Sequence, residues 1–442
     1  MPSSSNPVMS LLDPSTRQAG SYAPMGAVIF CRVIDNFGDA GVAWRLARRF
    51  EALGLETTLV IDNLVTLNKL APLVNPDLKV NHIGDIQVLD WETFERDVAD
   101  GNLESIGGVW PRLVLETFGC RLPDAVEKSL DDGRTRLWMN LDYLSAEDWV
   151  EGSHRVWGLH PTLPLKKLWY FPGFTDKTGG VMIEGDYIEK RNAFDRDQFL
   201  RQLGCNPENI TFFVFTYPQY ALETLAEGIR RLKCSCNVLL PAGEASRELA
   251  QLLADSDNDV IIAPFVPQRD FDKFLWAADG CIVRGEDSFV RAQLAALPFF
   301  WSIYPTEDRA HEVKLQAWLD RIRPVFLDAG VAPEDVDTFI ELSQTWVKAI
   351  EYDKGKTERG ETLSPEEQKT WSDAFAQQLA DFCSIFPRMI PGLRAWRDSL
   401  MKRGDLALHI LQEIPLTEDE ARYWNSTWES ANSASSNEKV SL

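Results

Sequence analysis

The sequence predicts an α/β protein of two halves, each built on a parallel sheet flanked by helices. Three observations lead there. Apolar, partly β-branched runs alternate with stretches whose apolar residues repeat at helical spacing. The first alternation, from Ala27 to Ile61, reads as one strand–helix–strand unit, the connection that builds parallel sheets. The pattern restarts after residue 190, beyond a linker-like stretch, Asp176-Lys177-Thr178-Gly179-Gly180. A length of 442 residues fits two or three domains at about 100–200 residues each.

Residues 1–25 are rich in Ser and Pro and lack a basic segment followed by an apolar core. They are expected to be a disordered extension, not a secretion signal. Residues 27–34 form the first strand and residues 35–41 a turn. Residues 42–53 follow as a helix with Ala43, Leu46, Ala47 and Phe50 on one face. Gly54 ends that helix and residues 56–61 are the next strand. Short strands are expected at 113–116 and 137–140. In the second half, strands are expected at 211–216, 237–240, 260–263 and 280–284. Helices are expected at 222–232, 270–278 and 288–296. From about Pro365 the chain reads as helical and rich in Trp, Phe and Leu, and residues 432–442 as a frayed tail. A ligand should bind between the halves, at the carboxyl ends of the strands.

Composition narrows the function. Asp and Glu number 67 against 45 Lys and Arg, a formal net charge of -22. Such a surface repels phosphate backbones and anionic membranes, so neither nucleic acid nor membrane is an expected partner. No run reaches the ~18–20 apolar residues of a spanning helix. The seven cysteines (Cys31, Cys120, Cys205, Cys234, Cys236, Cys281, Cys383) are odd in number and scattered, which points to a reducing cytoplasm. The five histidines lack metal-site spacing, so no metal is expected.

Two loops carry most of the chemistry. Asp35-Asn36-Phe37-Gly38-Asp39 sets two carboxylates around a turn just past the first strand. Asp35 and Asp39 are either turn and helix caps or a carboxylate pair acting as general base and cation anchor. The loop has no GxGxxG, and its acids would repel a dinucleotide. The second loop, Arg284-Gly285-Glu286-Asp287-Ser288, joins a strand to a helix. Arg284 and the helix N-terminus together suit a diphosphate. Glu286 suits sugar or ribose hydroxyls, while Asp287 and Ser288 either cap the helix or join the cradle. Phe215, Tyr217, Phe265 and Phe271 either sandwich a flat base or pack in the core. Gln268 has the donor and acceptor to read a pyrimidine edge.

Several runs together resemble one family. They are Phe30-Cys31-Arg32-Val33-Ile34-Asp35-Asn36-Phe37-Gly38-Asp39, Tyr143-Leu144-Ser145-Ala146-Glu147-Asp148-Trp149-Val150-Glu151-Gly152, Phe171-Pro172-Gly173-Phe174-Thr175-Asp176-Lys177-Thr178-Gly179-Gly180, and Val283-Arg284-Gly285-Glu286-Asp287-Ser288-Phe289-Val290-Arg291-Ala292-Gln293. In this order, from about residue 26 to at least 310, they resemble EarP, the protein-arginine rhamnosyltransferases that modify elongation factor P. Asp142, Ser302, Thr306 and Pro218 depart from that pattern.

The resemblance implies a GT-B glycosyltransferase fold, two Rossmann-like domains facing a central cleft. Residues 26–185 would be the acceptor domain and 186–390 the nucleotide-sugar domain, with 391–442 returning to the first. It implies a TDP-β-L-rhamnose donor, an acceptor arginine on elongation factor P, inversion at the anomeric carbon without a metal or cofactor, and a monomer. The family's catalytic residues fall on Asp35, Asp39 and Glu286. Its donor-binding residues fall on Phe215, Tyr217, Phe265, Gln268, Phe271, Arg284, Asp287 and Ser288. Another GT-B transferase with a different donor or acceptor, an NAD-linked oxidoreductase, and a non-catalytic acidic adaptor for a basic partner are the alternatives.

Overall fold

The first sheet has eight strands in the order β3-β4-β2-β1-β5-β6-β8-β7. They are β1 (Gly26–Cys31), β2 (Glu56–Ile61), β3 (Val80–Ile83), β4 (Ile86–Asp90), β5 (Leu113–Thr117), β6 (Leu137–Leu141), β7 (Val156–Leu159) and β8 (Lys166–Tyr170). The central pairs are parallel, with Val28 opposite both Thr58 and Val114, and the two edge hairpins are antiparallel. The second sheet is wholly parallel in the order β11-β10-β9-β12-β13. Its strands are β9 (Ile210–Val214), β10 (Cys236–Pro241), β11 (Asp259–Ala263), β12 (Gly280–Arg284) and β13 (Phe299–Ser302). This computed structural model describes residues 25–434 except 35, 109, 131–133, 219–220, 233–235 and 361–363. Residues 1–24, Asp35, Cys234 and residues 435–442 therefore lie outside the described residues.

Burial explains which strands were readable. β1, β5 and β6 are covered on both faces, so they show near-continuous apolar runs. Their side chains divide between two layers. Ala27, Ile29 and Cys31 face the helix Asn36–Ala52, while Val28 and Phe30 face the helix Trp91–Ala99. Met25, assigned above to the extension, is fully buried, and its carbonyl accepts the Glu56 N–H at 3.0 Å.

The C-terminal helices knit the units together. The helix Pro365–Arg403 starts at a Ser364/Glu367 capping box with Pro365 in its first turn. It runs past residue 391, and Leu393, Trp396 and Leu400 still pack in the second unit's core. Return to the first unit comes after Gly404, where Leu406, Ile410, Trp424 and Trp428 join the first core. The helix Glu418–Ala434 extends into the stretch read as tail. Arg49 Nη2 donates to Asn432 Oδ1 at 2.5 Å. Five of the six described cysteines are buried. Among the described residues, no helix is long and apolar enough to cross a membrane.

Candidate active site

The first wall of the cleft lies at the carboxyl ends of β1 and β6. The turn read at 35–41 is instead the start of a helix, Asn36–Ala52. Asp39 sits in its first turn, 2% exposed, and Oδ2 accepts the Ile34 N–H at 2.8 Å. Ile34 precedes the helix, so that bond ties the segment leaving β1 to the helix's first turn. It also fixes the other oxygen, Oδ1, toward Tyr143, whose hydroxyl lies at 3.3 Å. Tyr143 follows β6 and stacks on Phe118 with centroids 4.3 Å apart. Phe118 holds a left-handed φ of 57°, uncommon for a bulky residue, directly beneath this ring.

The second wall lies at the carboxyl ends of β9, β11 and β12. β12 passes straight into the helix Gly285–Ala295, so Glu286, Asp287 and Ser288 occupy its first turn rather than a loop. Gly285 permits the sharp passage, with φ of 64°. Glu286 reaches across the cleft, where Oε2 accepts the Leu144 N–H at 2.9 Å. That contact turns it toward the first wall rather than outward. Burial pushes the Glu286 carboxyl up to about 8. The Leu144 N–H and the Lys314 ammonium pull it down, and the charges of Asp39 and Asp287 raise it further.

The aromatic residues do gather here. The Arg284 guanidinium lies over both Phe215 and Tyr217, 4.6 and 4.7 Å from the ring centroids, and donates to the Thr216 carbonyl at 3.3 Å. Phe271 packs on Phe215 at 5.6 Å. Ser288 donates to the Arg284 carbonyl, an interaction within its own helix start. Phe265 is 45% exposed at the cleft mouth and meets Phe37 of the first wall at 6.0 Å.

Gln268 and Asp287 do something the sequence did not suggest. The Gln268 amide donates to the Gly41 carbonyl at 2.7 Å and to Asp287 Oδ2 at 3.0 Å. Gly41 allows this approach: a Cβ there would stand 3.2 Å from Gln268 Nε2. Asp287 is held by a fork from Arg45, with Nε at 2.6 Å and Nη2 at 3.0 Å. Arg45 Nη1 also donates to Glu184 Oε1 at 2.5 Å. The other Glu184 oxygen takes Arg291 Nη1 at 2.6 Å, and Arg291 pairs in turn with Asp272. Burial alone would raise Glu184, but Arg291 and Arg45 outweigh it and hold the carboxyl well below the usual range. These side chains clamp the helix Asn36–Ala52 to the helix Gly285–Ala295.

Among the described residues, His311, Glu312 and Glu351 are the group with metal-ligand proximity, and they lie outside the cleft. His311 Nδ1 accepts the Thr306 N–H at 3.0 Å, so the ring proton sits on Nε2, 3.4 Å from Glu351. That nitrogen is buried and makes no hydrogen bond to the carboxylate.

Carboxylates on facing walls, an arginine on aromatic rings and a helix start beside it accord with a glycosyltransferase cleft. A family model described as elongation-factor P (EF-P) rhamnosyltransferase EarP matches residues 27–414. The chain belongs to the EarP family. A protein-arginine rhamnosyltransferase of Pseudomonas putida is 35% identical over 351 residues, 75% of this chain and 88% of that protein. Another, of Neisseria meningitidis serogroup B, is 36% identical over 336 residues, 72% and 83% of the two chains. A solved structure described as the structural basis for EarP-mediated arginine glycosylation of translation elongation factor EF-P has a TM-score of 0.54 at 24% identity. It covers 88% of this chain and 97% of its own. Os79 from O. sativa, with U2F and trichothecene, has a TM-score of 0.50 at 12% identity over 90% and 100%. The two facing parallel-sheet units are the GT-B fold. This EarP family member therefore belongs among the protein-arginine rhamnosyltransferases. Sequence reasoning missed the side-chain placement of Tyr143 and the whole Arg45–Glu184–Arg291 chain. Tyr143 stood in a quoted motif. No local signal announces Arg45, whose partner Asp287 is 242 positions away.

Proposed function

We propose that this protein transfers L-rhamnose from TDP-β-L-rhamnose to an arginine side chain of elongation factor P, with inversion. The carrying observation is that two carboxylates, Asp39 and Glu286, stand on opposite walls of the cleft, near enough for one charge to act on the other. An arginine entering there meets acidic groups, and the family relationship supplies the sugar. The printed descriptions of the family and of the EarP structure support elongation factor P as acceptor. That acceptor, a translation factor, would put the reaction in the cytoplasm.

The step is a single displacement. A guanidine nitrogen forms a bond to the anomeric carbon, the bond from that carbon to the TDP oxygen breaks, and a guanidinium proton passes to a carboxylate. Guanidinium ionises above about 12 and an ordinary carboxyl near 4, so full proton transfer before attack would cost about 11 kcal/mol. Proton loss must then accompany C–N bond formation, with the carboxylates orienting one nitrogen beforehand. Asp39 is assigned as the base and Asp35 as its partner, with Glu286 assigned to the sugar or ribose. The rings of Phe215, Tyr217, Phe265 and Phe271, with Gln268, are assigned to the thymine and ribose end. Arg284 and the helix start at Asp287 and Ser288 stabilise the departing diphosphate, with no metal ion and in a monomer.

Incubation with elongation factor P and TDP-rhamnose, read by intact mass, should add one deoxyhexose to the acceptor. Asp39→Asn should still bind TDP-rhamnose and transfer nothing. Wild-type transfer rates in that variant would remove Asp39 from the mechanism.

A further inference from the structure

A second polar feature shares Arg45 and Glu184 with the clamp but contains none of the assigned catalytic or donor-binding residues. The helix Asn36–Ala52 carries Arg45, Arg48 and Arg49, which share one face at spacings of three and four. Together with Lys190, Glu184 and Asp186 they line a partly open cavity of about 140 Å³, which Ala431 of the last helix also borders. Four cations gathered around one cavity are unexpected in a chain of net charge -22.

Three of the four cations are accounted for. Arg45 holds Asp287 and Glu184, Arg49 holds Asp405 at 2.8 Å, and Lys190 holds Asp186 at 2.6 Å. Arg48 is different. Among the described residues it makes no hydrogen bond or ion pair. Its neighbours act only through space: Glu184 and Glu51 attract it, while Arg45 and Arg269 repel it. Burial and the adjacent Arg45 charge hold its guanidinium below the usual arginine range. Its nitrogens keep contact with solvent, and the cavity is the space it borders.

We propose that this cavity is a binding site for a small inorganic oxyanion such as phosphate, held by Arg48 and Lys190. One water needs only about 10–15 Å³ of such space, so a five-atom anion fits. The volume falls below the roughly 300 Å³ at which drug-sized pockets begin, so a nucleotide does not. Lys190 has three N–H donors and spends one on Asp186. A bound oxyanion gives Arg48 the partner the protein withholds.

The test is titration of the full chain with inorganic phosphate, against chloride at matched ionic strength, followed by calorimetry and thermal shift. Wild type should bind phosphate with and without TDP present. Arg48→Met should bind roughly tenfold or more weakly, the loss expected for one charge-assisted contact. Lys190→Met should weaken binding too, and it decides the matter should Arg48→Met fail to fold. Unchanged affinity in both variants, or loss of binding when TDP fills the cleft, would each overturn the assignment. If TDP itself failed to bind, the two variants would still decide the question.

Discussion

Replacing Glu286 with Gln removes one titrating group from the cleft and hardly changes its size. In the protein, burial and the neighbouring charges place that carboxyl at about 8. A carboxyl accepts hydrogen bonds from sugar or ribose hydroxyls at full strength only when ionised. At pH 7, one unit below its midpoint, about one molecule in ten carries the charge, and ionising the rest costs about 1.4 kcal/mol. If Glu286 grips the donor as a carboxylate, kcat/KM, which reports the free enzyme, should rise about tenfold per pH unit from 6 and level off above about 8. Glu286→Gln should be slow and flat over that range. In Asp39→Asn, where one repelling charge is gone, donor affinity measured by calorimetry should follow the same titration displaced to lower pH.

Stability should move the opposite way. Because the folded carboxyl is raised above its ordinary 4.5, its contribution to stability is full at acid pH and is lost as pH rises toward about 8. Glu286→Gln should abolish that fall in a urea series. A wild-type rate profile flat from pH 6 to 9, or an inflection near 8 that survives in Glu286→Gln, would refute the reasoning.

Two further outcomes follow from the cleft walls. Arg45→Met should cost about 3–5 kcal/mol, because it leaves Asp287 and Glu184 with one polar partner each. X-ray scattering should show the units further apart, and a loss under about 1 kcal/mol in urea would contradict the clamp. Phe265→Ala should weaken TDP binding roughly 5- to 150-fold, the range for losing one stacked base at about 1–3 kcal/mol. Unchanged calorimetric affinity would exclude stacking.

What was legible in the sequence follows from where each element sits. β2 and β12 are legible to the residue because each carries a buried apolar, partly β-branched core, Leu59-Val60-Ile61 and Cys281-Ile282-Val283, bounded by turn or helix signals. The edge strands β3 and β7 escape notice because they are short and half exposed: Val80, Val156, Trp157 and Leu159 all face solvent. Their hairpin partners β4 and β8 are only five residues long, and polar residues stand among their apolar ones. The starts of two helices were misjudged in the same direction. Gly, Asn and Asp at 36–39 and 285–287 signal a turn, yet the same residues satisfy the first turn of a helix. The two described acidic residues, Asp39 and Glu286, were found through the motif, whereas Glu286's reach to Leu144 was invisible because it joins positions 142 apart. The clamp was invisible for the same reason.

That clamp bears on the chemistry, since the two share their supports. Asp39 and Arg45 stand on one helix, six residues or about 9 Å apart along its axis. Glu286 and Asp287 are neighbours on the other. A helix is stiff over such a span, so the Arg45–Asp287 fork and the Asp39–Glu286 spacing cannot change independently. Glu184 extends the linkage, for its two oxygens hold Arg45 of the first unit and Arg291 of the second. The buried charges therefore set the gap in which the proposed mechanism brings a guanidinium to the sugar. Desolvating them gains little stability for the chain, but it fixes one register between the walls. A wall-to-wall reaction needs that register, because a displacement of an ångström between nucleophile and anomeric carbon is enough to lose most of the rate.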